Sequence, residues 1–315
     1  SNISRRGFVK SSLLASAALP LGINPQTAPA AQTNPAARET IQQGKIGNME
    51  FSRLMLGGNL IGGHSHARDL SYVSPLMRRY NTPAKIRETL EIAESKGITA
   101  VNTWVMDDNS ALFEHWKAGG KIKWIAQTRL DGAGGFGQIQ RAIDEGAVGV
   151  HLTGDTAEGL LAQGKFDKVV ESVSYIKERK RIAGIGAHDL RVVVEGEKLK
   201  VPNDFYIKTF HSHDYFSARR PGDNGVLGAN DNSWCLNPQD VIDVFAKVEK
   251  PWIAFKILAA GAIQPRAGFP FAFNGGADFI LVGMFDWQID ENVKLVRRVL
   301  NVAMASDSKR TRPWH

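Results

Sequence analysis

The chain has 315 residues, 43% of them hydrophobic and 23% charged, a formal net charge of +7 and one cysteine. That length supports one large domain with a sizeable core, and a single cysteine excludes an internal disulfide framework. The densest basic run, KERKR at 177–181, falls at a helix C-terminus where cations suit the dipole, so no nucleic-acid footprint is expected.

The chain opens with Arg5, Arg6, Phe8 and Lys10, then a modest apolar run from Leu13 to Leu21 and the small residues Ala28-Pro29-Ala30. This reads as a twin-arginine export signal over residues 1–30. The run is too short and too rich in Ala and Ser to span a bilayer. The expected partner is the twin-arginine export machinery, and the expected location is periplasmic or extracytoplasmic. No later apolar segment reaches membrane-spanning length. Residues 31–48, rich in Ala, Gln, Asn and Pro, read as a linker, 49–305 as the folded domain and 306–315 as a C-terminal tail.

From Phe51 onward, strand-like runs alternate with helix-like ones. SRLMLGGN (52–59) is the first strand, followed by the loop HSHARD (64–69). Thr82-Pro83 opens a helix whose Ile86, Leu90 and Ala93 recur at helical spacing, and Gly97 ends it. AVNTW (100–104), KWIAQTRL (123–130) and VGVHLTG (148–154) are the next strands, with helices near 110–118 and 137–145 between them. A long helical region at 156–179 leads to IAGIGAH (182–188), then to a helix near 189–195 and the strand at 204–211. A loop at 212–236 covers the mouth. Asn237-Pro238 starts a helix, WIAFKILAAG (252–261) and ADFILVGMF (277–285) are strands, and the last helix runs from Ile289 to Ala305. Eight strand–helix pairs predict a (β/α)8 TIM barrel. A doubly wound open sheet is the competitor, but no strand is followed by a GxGxxG turn.

The histidines collect at predicted strand ends, where a barrel keeps its active site. His211, His213 and Asp214 in HSHD, with His188, are candidate ligands for a divalent metal (Zn, Mn, Fe or Ni). Lys256 and Lys208 lie inside apolar strands, where lysine is costly unless paired or functional. With His151 they are the candidate catalytic residues, as general base or Schiff-base amine. Asn59, Asn102 and Gln127 at strand ends, His66 and Arg68 in HSHARD, and Trp234 are candidate substrate-binding residues. Neutral hydrogen-bonding groups beside an aromatic face suit a carbohydrate-like small molecule.

FSRLMLGGN (51–59), GITAVNTW (97–104), KPWIAFKILAAGAI (250–263) and GADFILVGMFDWQIDENV (276–293) resemble strands of the aldo/keto reductases, over residues 50–303 in all. The resemblance implies an aldo/keto reductase-like barrel, in an exported branch of unassigned function. It also implies an Asp–Tyr–Lys–His tetrad, of which only His151 fits. Asn102 stands at the Asp position, Gln127 at the Lys position, and Trp104 and Asp107 where the Tyr would follow. The segment after the eighth strand is acidic, so NADP binding is not expected. The expected function is therefore a metal-dependent isomerase, epimerase, lyase or hydrolase. The alternatives are an NADP-dependent reductase with a degenerate tetrad, an amidohydrolase-like enzyme using His64, His66, His188, His211 and Asp286, and a non-catalytic sugar-binding barrel.

Overall fold

The computed structural model describes residues 40–132, 134–219 and 231–303. The expected export signal, half of the expected linker, part of the 212–236 loop and the tail lie outside the described residues. The first described elements are β1 (Gln43–Ile46) and β2 (Met49–Ser52), an antiparallel hairpin turning at Gly47 with φ +58°. The first described strand thus falls inside the stretch expected as linker.

Eight parallel strands follow and close on themselves: β3 (Leu54–Gly57), β4 (Ala100–Trp104), β5 (Lys123–Thr128), β6 (Gly149–Leu152), β7 (Ile182–Ala187), β8 (Phe205–Thr209), β9 (Trp252–Phe255) and β10 (Phe279–Val282). Each pairs with the next in sequence, and β10 pairs back with β3. Both faces of such a sheet are covered, so the strands read as continuous apolar runs; every residue of β7, IAGIGA, is buried.

Two apolar layers result. Inside the barrel, Met55, Ile125, Phe205, Ile207, Ile253 and Phe279 pack with Ile46 and Phe51 of the hairpin. Outside it, the helices bury their faces on the strands. α1 (Val73–Tyr80) is the exception, with no buried residue. α2 (Pro83–Ser95) begins on Thr82, whose side chain accepts from Lys85 N, and buries Ile86, Leu90 and Ala93. Then come α3 (Ser110–Lys117), α4 (Gly137–Asp144), α5 (Gly154–Ala162), α6 (Asp167–Glu178) and α7 (Leu190–Lys198). The helical region expected at 156–179 is two helices, α5 and α6, with Gly164 at φ +68° between them. α8 (Pro238–Phe245) starts on an Asn237 cap, and α9 (Pro265–Asn274) and α10 (Asp286–Ala303) complete the ring. Among the described residues, no helix is long and apolar enough to cross a membrane.

Candidate functional site

The C-terminal ends of the strands open into a cavity of about 1290 Å³. Asn59, His66, Asn102, Gln127, His151, His188, Lys208, Trp234 and Lys256 all lie on its wall. Arg68, His211, His213 and Asp214 do not. Arg68 and Asp214 are exposed.

On one side stands a neutral hydrogen-bonded chain. Gln127 Nε2 donates to Asn102 Oδ1 at 2.7 Å. Asn102 Nδ2 donates to Ile125 O at 2.8 Å and to His151 Nε2 at 3.1 Å. The second His151 nitrogen, Nδ1, donates to Leu152 O at 2.9 Å. Burial lowers the His151 pKa to about 4. The ring is therefore neutral at pH 7 with both nitrogens engaged, and it has no spare proton to deliver.

Across the mouth, Lys256 follows β9 with φ +56°, a left-handed conformation that a lysine rarely adopts. Its Nζ lies 2.5 Å from His66 Nε2 and 4.6 Å from the Trp234 ring centroid. Burial lowers its pKa to about 7, partly offset by Asp155 and Glu158. The turn that follows is strained again, with φ +45° at Ala259, +55° at Ala260 and +94° at Gly261. Lys208 is deeper. Its Nζ donates to Thr209 O at 2.9 Å and Thr209 Oγ1 at 2.8 Å, and burial lowers its pKa to about 8. It belongs to the wall more than to the open mouth.

The expected metal centre is not formed. His211 donates from Nδ1 to Ser212 O at 3.0 Å, while its Nε2 accepts from Trp234 N and Cys235 N, each at 2.9 Å. His213 Nε2 donates to Cys235 O at 2.6 Å. These two imidazoles pin the returning end of the 212–236 loop. The His188 ring packs tilted by 38° against Trp234, with 4.5 Å between centroids. Its Nδ1 lies 3.2 Å from Glu158 Oε1 without a hydrogen bond, because that oxygen accepts from His188 N and Asp189 N. Among the described residues, no group of three or more His, Cys, Asp or Glu could hold a metal ion. The amidohydrolase-like set is dispersed as well: His64 contacts Asp107, His66 contacts Lys256, and Asp286 contacts Tyr80 and Lys85.

The acidic segment expected to oppose NADP is largely paired. Asp286 Oδ1 accepts from Tyr80 Oη at 2.6 Å and its Oδ2 from Lys85 Nζ at 3.3 Å. Asp290 is held by Lys96 at 2.7 Å and by Lys294. Two of the three acids after the eighth barrel strand, Asp286 and Asp290, are thus already paired, which leaves exposed Glu291 as the remaining negative charge of the segment. His64 and Asp107 also meet as a pair; the only sign of it in the sequence is that both fall in loops after neighbouring strands.

No family model matches the sequence, and no curated protein does. Solved structures do match. Two of putative aldo-keto reductases from Pseudomonas aeruginosa superpose with TM-scores of 0.59 and 0.58 at 15% and 16% identity. They cover 85% and 84% of this chain and 100% and 98% of their own. An aldo-keto reductase from Bacillus halodurans, in its holo form, gives 0.56 at 12% identity over 86% of this chain and all of its own. At such identities the likeness speaks for architecture. The chain is an aldo-keto reductase-like (β/α)8 barrel.

Proposed function

We propose that this protein is an NADP(H)-dependent oxidoreductase acting on a small carbonyl or alcohol substrate, with its cofactor anchored on the Lys256 side of the mouth. The observation that carries the reading is the turn Lys256–Gly261. It joins a buried amine to a run of left-handed residues at the rim of the cavity. Within the turn Ala259 N donates to Lys256 O at 3.0 Å and Gly261 N to Leu258 O at 2.8 Å, so the turn fixes the amine at the rim and the amine itself meets the anion. A lysine with a pKa near 7 gains a proton readily when a phosphate arrives. The cavity exceeds the ~300–1,000 Å³ usual for one small ligand, so a dinucleotide and a substrate fit together. The likeness to aldo-keto reductases, one of them a holo form, supports the same reading.

A bound reduced nicotinamide would supply hydride. The residues of this chain do the rest. Lys256, fixed at the rim by the 256–261 turn, holds the phosphates. Gln127 presents its amide to the substrate, held by Asn102 behind it, and Trp234 offers an apolar face from the Lys256 side. A neutral amide facing an aromatic ring favours a sugar-derived carbonyl compound. Export of the folded protein by the twin-arginine route belongs to this proposal, since a dinucleotide would be taken up before translocation.

Quenching of tryptophan fluorescence by NADPH tests the cofactor, and NADPH oxidation with a panel of aldehydes, ketones and keto sugars tests the reaction. Saturable low-micromolar binding is expected. Lys256→Met should weaken it roughly 10- to 100-fold, the ~1.5–3 kcal/mol of a hydrogen bond to a charged group. NADPH that does not bind at millimolar concentration would end the proposal.

A further inference from the structure

We propose that His64 and Asp107 form the proton-donating dyad of this mouth, an inference that rests on the oxidoreductase reading above. Reducing a carbonyl requires an acid, and the Asn102–Gln127–His151 chain has no proton to give. The resemblance places a tyrosine after β4, but this chain has Trp104 and Asp107 there.

Two loops build the pair. After β3, Gly62 N donates to Gly58 O and His64 N to Asn59 O, each at 2.8 Å, which closes a tight turn under His64. After β4, Asn109 Nδ2 donates to Trp104 O at 3.0 Å and Asp107 O at 3.2 Å, which fixes the backbone that carries Asp107. The side chains meet with His64 Nε2 at 2.8 Å from Asp107 Oδ1 and 3.1 Å from Oδ2. Both line the cavity, with Asp107 13% exposed and His64 43%.

Gly62 makes room for them. A Cβ there would lie 2.4 Å from Asp107 Oδ2 and 2.7 Å from His64 Cδ2, so the pair packs directly on bare backbone. The Trp104 ring meets the imidazole edge-on, with centroids 6.1 Å apart. The hydrogen bond to Asp107 raises the His64 pKa against burial, while Arg78 and Arg129 weaken the effect. Arg129 is itself paired with Asp155 at 2.8 Å.

Asp107 fixes the tautomer. With Nε2–H on the carboxylate, Nδ1 is the nitrogen that works, and it has no hydrogen-bond partner among the described residues. In the reductive direction the carbonyl π pair moves onto oxygen, which takes the Nδ1 proton. Hydride from a reduced nicotinamide dinucleotide forms the new C–H bond, and the dinucleotide leaves oxidised. His64 is left neutral, still donating from Nε2 to Asp107.

The test uses the full chain with NADPH and the carbonyl panel. His64→Gln should lower kcat by roughly 10²–10⁴-fold with NADPH affinity unchanged. Asp107→Asn should move the basic limb of the kcat profile to lower pH, and Gly62→Ala should cost roughly 10²-fold by displacing the pair. Titration of the imidazoles by NMR gives a readout that needs no turnover. His64 should titrate above the ordinary histidine value and return to it in Asp107→Asn. A His64 that titrates at or below that value overturns the dyad, as does His64→Gln with the kcat and pH profile of the parent. If NADPH does not bind, the oxidoreductase reading falls, and the NMR titration still decides whether the dyad holds its proton.

Discussion

Protonating His211 would break two hydrogen bonds at once, since its Nε2 accepts from both Trp234 N and Cys235 N. His151 is in the same position, with Asn102 Nδ2 on its Nε2. Burial holds both pKa values down to about 4, against 6.5 for an exposed imidazole. Between those values the unfolded chain binds two protons that the folded one does not. Stability from this source is therefore complete above about pH 6.5 and falls as pH drops toward 4, by on the order of 3 kcal/mol per histidine at most. Urea unfolding from pH 7 to 4.5 reads this directly, and His151→Gln with His211→Gln should flatten the profile while lowering its top. A steep decline that survives in the double variant would place the titrating groups elsewhere. The sequence shows why these rings looked like ligands. HxHD at a strand end has the right residue types, but whether a nitrogen faces a metal or a backbone amide depends on Trp234 and Cys235, more than twenty residues away. Lys256 was legible because an amine inside an apolar strand needs a local reason. The His64–Asp107 contact was not, because it joins two loops whose approach only barrel closure sets.

The β1–β2 hairpin has a larger role than its eight residues suggest. Phe51 is fully buried and packs with Ile46 and the interior residues of the barrel strands, including Phe205 and Phe279. Gly44 lies so close that a Cβ would sit 2.8 Å from Phe279 Cζ. Phe51→Ala should therefore destabilise the fold by about 3–5 kcal/mol, the cost of truncating a well-packed aromatic. A loss below about 1 kcal/mol in urea unfolding would mean that the hairpin is only loosely docked. The barrel strands and most helices were readable, since their apolar periodicity and caps such as Thr82 and Asn237 are local signals. The hairpin was hidden because QGKI and MEFS are short, half polar and adjoin a Pro- and Gln-rich stretch. α1 did carry a signal, Val73, Leu76, Met77 and Tyr80 at helical spacing, yet it buries no residue, and Leu76 stays exposed, as does Tyr72 just before it. Leu76→Ser should accordingly change stability by no more than about 0.5 kcal/mol.

For the molecule as a whole, the barrel mouth holds in Lys256 an amine that is close to its titration point at neutral pH, and any anion bound there must couple to it. Lys256 is depressed to about 7 because burial disfavours its charge, yet the phosphate of a dinucleotide needs that charge. Binding should then take up a proton wherever the free protein has lost it. Affinity for NADPH should be nearly constant below about pH 7 and fall about tenfold per pH unit above it, until binding without the proton takes over. The sign is opposite to that of the stability profile, which weakens on the acid side, so the two dependences separate cleanly. Calorimetry in buffers of different ionisation heat would count the proton taken up at pH 8, with a value approaching one expected. Lys256→Arg keeps a charge throughout and should make affinity independent of pH, while Lys256→Met should remove both the slope and the proton uptake. An affinity equally pH-dependent in Lys256→Met would assign the linkage to another group and take the phosphate away from Lys256. His66, 2.5 Å from the amine, is the first residue such a result would implicate.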